Sequence, residues 1–415
     1  MTAQRQEFLV KRSTDRILTT HVGSLIRPPR LLEFLRAKQE HRPYEERAHA
    51  ACLKDSVAEV VQQQAAVGID VVSDGEFGKA ISWSQYALER LAGFERRPFT
   101  GGNPWMRGAD RDRFKGFYAE MDGRDQGATT AESVVVGPIR YTGQAALQRD
   151  IDDFKAAVAG ADVVEGFLPV AAPSSVVPDK TNEYYKTDDD LQTAVAEAMR
   201  TEYRTIVDAG FLVQLDDARA AVTYDRMVPP KTFQDYHHWL ERQIEIMNHA
   251  LKGIDPARVR YHVCWGSWPG PHVTDVPLKA IIKTLLKARV GAFVIEGANP
   301  RHEHEWRIWG DVDLKNKILV TGVISHATNV VEHPELVAER IVRLANLVGR
   351  EQVIAGTDCG FAQGPFYRRV HPEIMWAKLE ALAAGARLAS KSLWRRRTTA
   401  RRAQPRTKRR AGARR

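Results

Sequence analysis

The sequence predicts an α/β protein built as a (β/α)8 TIM barrel, and two features of its 415 residues carry this prediction. Short apolar runs, typical of strands buried on both faces, recur along the chain, and most are separated by segments with helical periodicity. Eight such strands in roughly 380 residues, most of them followed by a helix, fit a barrel with insertions. A doubly wound open sheet is the alternative, but it usually carries a Gly-rich phosphate loop after its first strand, and none is present here.

The predicted strands and helices alternate along the chain. Each strand is a short apolar run, and each helix carries apolar residues mostly three and four positions apart. The strands are predicted at residues 17–22, 69–73, 162–168, 211–215, 258–266, 291–295, 318–324 and 352–356. The helices are predicted at residues 44–68, 147–158, 188–209, 231–251, 278–288, 334–347 and 371–390. This alternation indicates a parallel sheet that is covered by helices.

One long segment interrupts the alternation. Residues 93–130 are rich in Gly, Arg, Asp and aromatic residues and have no clear period, which is typical of a long loop or insertion over one face. Residues 133–139 follow as an accessory strand. The predicted parts are an N-terminal extension at 1–13, a barrel at 14–393 with an insertion at about 93–141, and a C-terminal tail at 394–415.

The positive charge of the chain is concentrated in that tail. The whole chain has a net charge of +9, and eleven Lys and Arg residues without any acidic residue lie in residues 394–415. The rest of the chain is therefore close to neutral. A basic segment without apolar periodicity is expected to be disordered. Nucleic acid is accordingly an unlikely partner, except through loose contacts made by the tail.

Cysteine usage and the absence of apolar targeting segments predict a cytoplasmic protein. The chain has three cysteines, Cys52, Cys264 and Cys359, which cannot form a disulfide framework. Residues 1–16 are polar and charged, unlike a signal peptide, and no run approaches the roughly 18 apolar residues that span a bilayer. Cys52 lies on the apolar face of a predicted helix and is expected to be structural. The other two cysteines follow predicted strands.

Metal-binding residue types stand at the ends of three predicted strands. His262 and Cys264 are two positions apart, so that both side chains point to the same side of a strand. Glu296 and Cys359 follow two other strands. Because active sites in (β/α)8 barrels form where the strands end, we expect these four side chains to meet. One imidazole, one carboxylate and two thiolates form a complete set of ligands for one Zn²⁺ per chain.

A thiolate-rich zinc site indicates thiol chemistry. Zinc lowers the pKa of a bound thiol and holds it as the thiolate, which then attacks a carbon electrophile. A zinc hydrolase is the competing hypothesis, although hydrolytic sites more often use histidine-rich or histidine–carboxylate ligands. A third hypothesis, from a different class, is a non-catalytic protein that docks on nucleic acid through its basic tail.

The segments that contain the four ligands resemble those of a known family. They are similar to the zinc-binding segments in the catalytic barrel of cobalamin-independent methionine synthase, and the resemblance extends from about residue 19 to residue 361, in matching order. The matching segments are His262-Val263-Cys264, Ile295-Glu296-Gly297 and Asp358-Cys359-Gly360.

The same resemblance implies a substrate site. Gly23 and Ser24 match the segment that holds the amino-acid end of homocysteine, and Glu76 and Asp216 match contacts to its amino group. His326 matches the histidine that protonates the leaving group. The resemblance therefore implies a zinc-dependent thiol S-methyltransferase that makes methionine from homocysteine, with a methyl donor of the 5-methyltetrahydropteroyltriglutamate type.

Two departures from the family pattern leave an alternative open. Full-length members carry two barrels, whereas this sequence contains one, and Asp217-Ala218-Arg219 replaces Glu-Pro-Ala after the substrate contact. Single-barrel relatives include short methionine-synthase-like proteins and epoxyalkane:coenzyme M transferases, which alkylate a different zinc-bound thiol. In both cases the partners are a small-molecule thiol and a methyl or alkyl donor.

Overall fold

The computed structural model describes residues 11–98, 107–124, 131–177 and 181–394. The strands within these ranges are β1 (Leu18–Thr19), β2 (Val71–Val72), β3 (Leu91–Pro98), β4 (Ala131–Tyr141), β5 (Glu165–Ala171), β6 (Thr181–Asn182), β7 (Leu212–Asp217), β8 (Val259–Val263), β9 (Ala292–Ile295), β10 (Ile318–Ile324), β11 (Val353–Thr357), β12 (Ala362–Gly364) and β13 (Tyr367–Arg368). The helices are α1 (Pro29–Gln39), α2 (Glu46–Val67), α3 (Ala87–Arg90), α4 (Ala109–Arg113), α5 (Lys115–Arg124), α6 (Gln144–Ala159), α7 (Pro173–Val176), α8 (Asp188–Asp208), α9 (Arg219–Met227), α10 (Phe233–Ala250), α11 (Leu278–Leu285), α12 (Pro334–Val348) and α13 (Pro372–Leu393).

Eight parallel strands form a nearly closed barrel. Their order is β1-β11-β10-β9-β8-β7-β5-β2, and every neighbouring pair is parallel. The two end strands meet through a single parallel bridge between Thr20 and Val71. The predicted (β/α)8 barrel is therefore confirmed, and each of the eight predicted strands has a counterpart in it.

Several predicted strand boundaries differ from the observed ones, and one of these differences affects the site. The third strand was predicted to end before Pro169, but β5 continues through this proline to Ala171, and Pro169 is in register with Gln214 of β7. Proline lacks only the amide hydrogen, and its carbonyl group remains available to a parallel neighbour. The consequence is that β5 reaches the end of the barrel where the functional residues lie.

The predicted long loop contains regular structure. Strand β3 pairs antiparallel with β4, which pairs parallel with β6, so that a separate three-stranded sheet lies beside the barrel. Strand β4 confirms the accessory strand, whereas β3, α4 and α5 correct the interpretation of this segment as a loop. Gly93, at a φ of 99°, lies where the β3–β4 register shifts, and this irregularity removes the period-two signal. Residues 99–106 and 125–130 lie outside the described ranges.

Side chains along β8 alternate between the two faces of the strand, and Arg260 and His262 both point into the barrel. Arg260 is buried, stacks 3.9 Å from the ring centre of Phe167, and donates a hydrogen bond of 3.1 Å to Thr20 Oγ1. Burial lowers the pKa of Arg260 to about 9. His262 follows on the same face of the strand and is also buried. The interior therefore changes from apolar and cationic to metal-binding side chains toward the strand ends.

The chain termini are only partly described. Residues 1–10 of the predicted extension and residues 395–415 of the predicted basic tail lie outside the described ranges. Among the helices that the structure does describe, none combines the length and apolar character that crossing a bilayer would require. Helix α13 ends at Leu393, next to the start of the tail.

Candidate metal centre and active site

Three of the four predicted metal ligands meet at the ends of the barrel strands. The ligand atoms of His262, Cys264 and Cys359 all lie within 4.8 Å of one another. The two Sγ atoms are 3.5 Å apart, and both cysteines are free. His262 belongs to β8, and the cysteines follow β8 and β11, so that the barrel itself assembles the cluster from distant parts of the chain.

The side chain of His262 is oriented for metal binding. Its Nδ1 lies 3.3 Å from the carbonyl oxygen of Val294, which accepts a hydrogen bond from the ring. Nε2 is buried and has no hydrogen-bond partner among the described residues. A backbone acceptor at one ring nitrogen fixes the tautomer that leaves the other nitrogen free to bind a metal.

The two thiols of the cluster differ strongly in acidity. Cys264 donates a hydrogen bond to Cys359, which raises the pKa of Cys264 well above its usual value and lowers that of Cys359 well below it. Burial alone would lower the pKa of His262, but the interaction with the neighbouring Cys359 raises that pKa to about 9. A buried imidazole beside two thiols, one of them a thiolate, is a donor set that fits zinc.

The fourth predicted ligand, Glu296, lies outside this group of three. Its Oε1 accepts a 2.9 Å hydrogen bond from the amide of Trp265, and its Oε2 accepts one of 3.3 Å from the side chain of Asn299. The carboxylate is buried, and burial raises its pKa. The structure therefore places Glu296 next to the residue that follows Cys264, with both of its oxygens already occupied by hydrogen-bond donors.

A cavity with a volume of about 290 Å³ opens onto the cluster. His262, Cys264 and Cys359 contribute to its lining, together with the predicted substrate residues Ser24, Glu76 and Asp216. The structure thus brings three predicted substrate contacts and three predicted metal ligands to one cavity.

Gly23 has a local structural function in this arrangement. Its φ is 136°, and a Cβ at this position would lie 2.7 Å from the ring of Pro169. Its amide donates a hydrogen bond of 3.1 Å to Nδ1 of His21, so this N–H is already used within the chain. The neighbouring Ser24 Oγ accepts a hydrogen bond of 3.2 Å from the amide of Ala362. The hydroxyl hydrogen of Ser24 is therefore the group that this segment can offer to a substrate.

Two buried carboxylates occupy the polar part of the cavity. Glu76 Oε1 lies 3.4 Å from the ammonium group of Lys79, and burial raises the pKa of Glu76. Asp216 accepts a 2.9 Å hydrogen bond from Gln214, and burial raises its pKa to about 7. Such carboxylates have a strong electrostatic preference for a cation.

His326 is buried and lies outside the cavity lining. Among the described residues, neither ring nitrogen has a hydrogen-bond partner, and burial lowers the pKa of His326 to about 4. Its segment is held from the side: the amide of Ser325 donates a 2.8 Å hydrogen bond to Glu332, which also accepts one of 2.8 Å from Lys378. The ring is therefore neutral near pH 7, and its position depends on the loop that carries it.

Sequence reasoning missed the contribution of the insertion to this cavity. Tyr118 and Met121 of α5 line it, and so do arginine side chains from several segments. The abundance of Arg and aromatic residues in an aperiodic segment was the available signal. The lining arginines are Arg107, Arg111, Arg219, Arg226 and Arg369.

The two tryptophans that follow the ligand segment have different environments. Trp265 is buried, and its indole donates a 2.7 Å hydrogen bond to the carbonyl oxygen of Val276. Trp268 is half-buried and lines the cavity. Trp265 is therefore a packing residue, whereas Trp268 is available to a substrate.

A second histidine network lies beside the metal-binding cluster. Asp275 Oδ2 is 3.0 Å from Nδ1 of His272 and 2.9 Å from Nε2 of His302. Glu305 is 2.8 Å from Nδ1 of His302 and accepts a 2.7 Å hydrogen bond from the amide of Leu278. In this network every ring nitrogen has a partner, because Nε2 of His272 lies 3.0 Å from the carbonyl oxygen of Trp268.

Known proteins resemble this chain over most of its length. The methionine synthase of Sulfolobus acidocaldarius is 25% identical over 344 residues, which are 82% of this chain and 85% of that protein. The 2-hydroxypropyl-CoM lyase of Xanthobacter autotrophicus is 24% identical over 376 residues, which cover 82% of this chain and 86% of that protein. No protein-family model matches the chain.

Solved structures agree with these sequence relatives. The B12-independent methionine synthase of Shewanella sp. W3-18-1, in complex with selenomethionine, superposes with a TM-score of 0.67 at 19% identity and covers 91% of this chain and 99% of its own. A putative vitamin-B12-independent methionine synthase from Listeria monocytogenes has a TM-score of 0.61 at 21% identity, with 90% and 98% covered. The chain is therefore a homologue of the methionine synthases and of 2-hydroxypropyl-CoM lyase, and it has the fold of the B12-independent methionine synthases.

Proposed function

We propose that this protein is a zinc-dependent methyltransferase that transfers a methyl group to the thiol of homocysteine and so forms methionine. The observation that carries the proposal is the cluster of His262, Cys264 and Cys359 at a cavity that Glu76 and Asp216 also line. Such a cavity places a thiol-activating centre and cation-binding carboxylates within reach of one small amino-acid thiol. The methionine synthases among the sequence relatives support the same activity.

The three clustered residues would hold one zinc ion, with Glu296 as the fourth ligand. Zinc at such a site keeps a bound thiol deprotonated at neutral pH. The hydrogen bond from His262 to Val294 fixes the ring and leaves Nε2, which has no partner among the described residues, for the ion. The hydrogen bonds from Trp265 and Asn299 to Glu296 offer the carboxylate an alternative position when a substrate thiol enters.

The three predicted substrate contacts at the cavity bind the amino-acid end of homocysteine. Glu76 and Asp216 attract its ammonium group, and the Ser24 hydroxyl donates a hydrogen bond to its carboxylate. Two buried carboxylates would repel a sulfonate, which favours homocysteine over coenzyme M at this end of the cavity. Lys79, beside Glu76, opposes the rise that burial causes in the pKa of that carboxyl group.

In the transfer step, a sulfur–carbon bond forms while the bond from that carbon to the leaving nitrogen breaks. The sulfur supplies the electron pair of the new bond, and the leaving nitrogen keeps the pair of the old one. His326 passes a proton to this nitrogen. Because burial lowers its pKa to about 4, the ring is neutral near pH 7 and must take up a proton from solvent in each cycle, which it then gives up readily to the more basic nitrogen.

Alkyl transfer to coenzyme M is the second candidate, favoured by the arginines that line the same cavity. Arg219 stands where the resembling family has alanine, at the first position of α9. A guanidinium group suits the sulfonate of coenzyme M. The similarity to 2-hydroxypropyl-CoM lyase, at 24% identity, also supports this alternative.

A combined metal and activity assay tests the proposal. The purified protein should contain about one zinc per chain and should convert homocysteine and 5-methyltetrahydrofolate to methionine. The same assay should also be run with coenzyme M as the thiol acceptor and with propylene oxide as the alkyl donor. Chelation should abolish the reaction, and zinc should restore it. A zinc-loaded protein that consumes neither thiol with either donor would contradict the proposal, and hydrolysis without thiol consumption would favour a hydrolase.

Removal of residues 395–415 separates this proposal from nucleic-acid docking. An alkyltransferase should keep its activity, whereas a protein that docks through its basic tail should lose salt-sensitive binding to nucleic acid. The cytoplasmic location and the disorder of the tail stay predictions.

A further inference from the structure

Asp358, to which the proposed function assigns no role, lies between the end of barrel strand β11 and the metal ligand Cys359. Its side chain is completely buried. Its amide donates a 2.9 Å hydrogen bond to the carbonyl oxygen of Ile324 in β10. The backbone of Asp358 is therefore still held by the sheet, and its side chain starts from a fixed position at the strand end.

The carboxylate of Asp358 bridges two strands that are not neighbours. Its Oδ1 accepts hydrogen bonds of 2.8 Å from the amides of Gly297 and Ala298, the two residues that follow Glu296. In the sheet, β10 lies between β9 and β11. One oxygen atom thus connects the segment of Cys359 to the segment of Glu296, across a strand that supplies none of the four predicted metal ligands.

Two glycines make room for this bridge. Gly322 lies in β10, where the register between β10 and β11 shifts, and a Cβ there would lie 2.0 Å from Oδ1 of Asp358. A Cβ at Gly297 would lie 2.8 Å from the carbonyl oxygen of Gly322. Neither glycine has a positive φ, so the close approach of other atoms, rather than backbone conformation, requires glycine at both positions.

The bridge does not depend on the charge of Asp358. Its Oδ2 is buried and has no hydrogen-bond partner among the described residues. Burial raises the pKa of Asp358 to about 7, and the charge of Glu296 acts in the same direction. Because a proton on Oδ2 leaves Oδ1 available to both amides, the protonated and the ionised side chain form the same bridge.

Glu296 is the predicted ligand that gains most from a fixed backbone. The amide of Trp265 and the side chain of Asn299 hold its carboxylate outside the group of three ligands. To reach an ion in that group, the carboxylate has to leave these donors. A backbone that is fixed at the next two residues confines this movement to the Glu296 side chain.

We infer that Asp358 is a positioning residue for the metal centre, because its bridge fixes the backbone of Glu296 relative to Cys359 and so brings the Glu296 carboxylate within reach of the ion. The inference rests on the proposed zinc site. It assigns to β10 the role of a spacer whose glycine lets the bridge pass.

The zinc affinity of the full-length protein, measured by competition with a chromogenic chelator, tests the inference. Asp358→Ala removes the acceptor of both amides and should weaken zinc binding by roughly tenfold to a hundredfold. Asp358→Asn keeps an acceptor oxygen and should stay within about threefold of the wild type. Gly322→Ala, whose Cβ would displace the carboxylate, should resemble Asp358→Ala.

The matched control is Asp70→Ala, which should leave the zinc affinity unchanged. Asp70 also accepts a 2.8 Å hydrogen bond from a backbone amide, that of Thr19. It precedes β2 and therefore lies at the opposite end of the barrel from the metal-binding cluster.

A double substitution shows whether Asp358 acts through Glu296. Glu296→Gln should weaken zinc binding, and the further change Asp358→Ala should then add less than about a twofold loss, because the group that the bridge positions is already gone. In Co²⁺-substituted Asp358→Ala, the d–d absorption should become that of Co²⁺-substituted Glu296→Gln. The charge-transfer band from the thiolates of Cys264 and Cys359 should stay. A structural role without an effect on Glu296 would leave both parts of the spectrum unchanged.

Three results would overturn the inference. They are an unchanged zinc affinity and Co²⁺ spectrum in Asp358→Ala, losses that add up in the double variant, and a loss in Asp358→Asn as large as that in Asp358→Ala. All three leave the proposed thiol transfer intact, whereas a wild-type protein that binds no zinc would refute the proposed function together with the inference. If Asp358→Ala does not fold, Gly322→Ala takes its place in each comparison.

Discussion

Two histidine clusters at the same end of the barrel satisfy their polar atoms in opposite ways. The first consists of the metal-binding cluster and the nearby His326, where Nε2 of His262 and both ring nitrogens of His326 are buried without a hydrogen-bond partner among the described residues. In the neighbouring network, every ring nitrogen of His272 and His302 has a partner at 2.8–3.0 Å. Burial alone does not separate the clusters, since all four rings are buried.

The difference has an energetic meaning. A buried polar atom without a partner costs about 1–3 kcal/mol of folding stability, so three open nitrogens lower the stability of this region. The satisfied network has the opposite effect and stabilises the loops around the site. We therefore interpret the histidines without partners, His262 and His326, as the reactive part of the site. The hydrogen-bonded network of His272 and His302 is interpreted as the part that stabilises the surrounding loops.

The largest effect is expected from Cys359→Ser. This substitution removes a thiolate from the metal-binding cluster, so the zinc content should fall to nearly zero and thiol alkylation should fall on the order of a thousandfold. Metal analysis and a methionine-formation assay measure both. Cys52→Ser is the matched control, because Cys52 lies on α2, away from the cluster, and should change neither quantity. One zinc per chain in purified Cys359→Ser would show that the ligand set is wrong.

His326→Gln should cause the next largest loss. If His326 delivers the proton to the leaving nitrogen, kcat with 5-methyltetrahydrofolate should fall by about a hundredfold. The zinc content should stay unchanged. An S-methyl sulfonium donor, whose leaving group departs neutral, serves as the control and should be affected much less. An equal loss with both donors would assign His326 a structural rather than a proton-transfer role.

The sequence predicted the barrel because eight apolar strands between helices admit few other arrangements, and it predicted the metal cluster because strand ends converge in a barrel. The insertion was not predictable to the same degree. The bulge at Gly93 removes the alternation that would mark β3 as a strand. The contact between Tyr118 and Trp268 joins residues 150 positions apart, and nothing in the local pattern of either segment signals it.

The sequence also could not predict which buried histidines have hydrogen-bond partners. His302 and His326 both lie in loops that follow barrel strands, and the local sequence does not tell which of them has hydrogen-bond partners. Only the structure shows that His302 meets two carboxylates whereas His326 meets none of its hydrogen-bonding partners among the described residues.

Glu332→Gln should have a smaller effect than loss of His326 itself. Glu332 holds the amide of Ser325 and pairs with Lys378, whose side chain is 0% exposed, so it fixes the segment that carries His326. Removing this charge should lower kcat by about tenfold and the free energy of unfolding by about 3 kcal/mol. The control is Glu335→Gln, an exposed residue in the first turn of α12. Full activity in a destabilised Glu332→Gln would contradict the positioning role.

Glu305→Gln should leave activity and zinc content nearly unchanged while it lowers stability in a pH-dependent way. Burial alone would lower the pKa of His302, but hydrogen bonds to Asp275 and Glu305 outweigh burial and raise the pKa to about 9. Because this folded-state value lies above the unfolded value of about 6.5, the protonated ring stabilises the fold fully below pH 6.5, and this contribution disappears as the pH rises through 9. The substitution should therefore cost about 2 kcal/mol at pH 6 and less at pH 9.5.

Urea unfolding at the two pH values measures this difference, and Glu303→Gln provides the matched control. Glu303 lies with Glu305 in the short 3-10 helix Glu303–Gly310 and pairs with Arg340; because no histidine takes part in this pair, the effect of Glu303→Gln should be the same at both pH values. The network also adjoins Glu296, whose negative charge helps to raise the pKa of His302. If Glu305→Gln released zinc or abolished methyl transfer, the satisfied network would be part of the reactive centre, and the separation between the two histidine clusters would not hold.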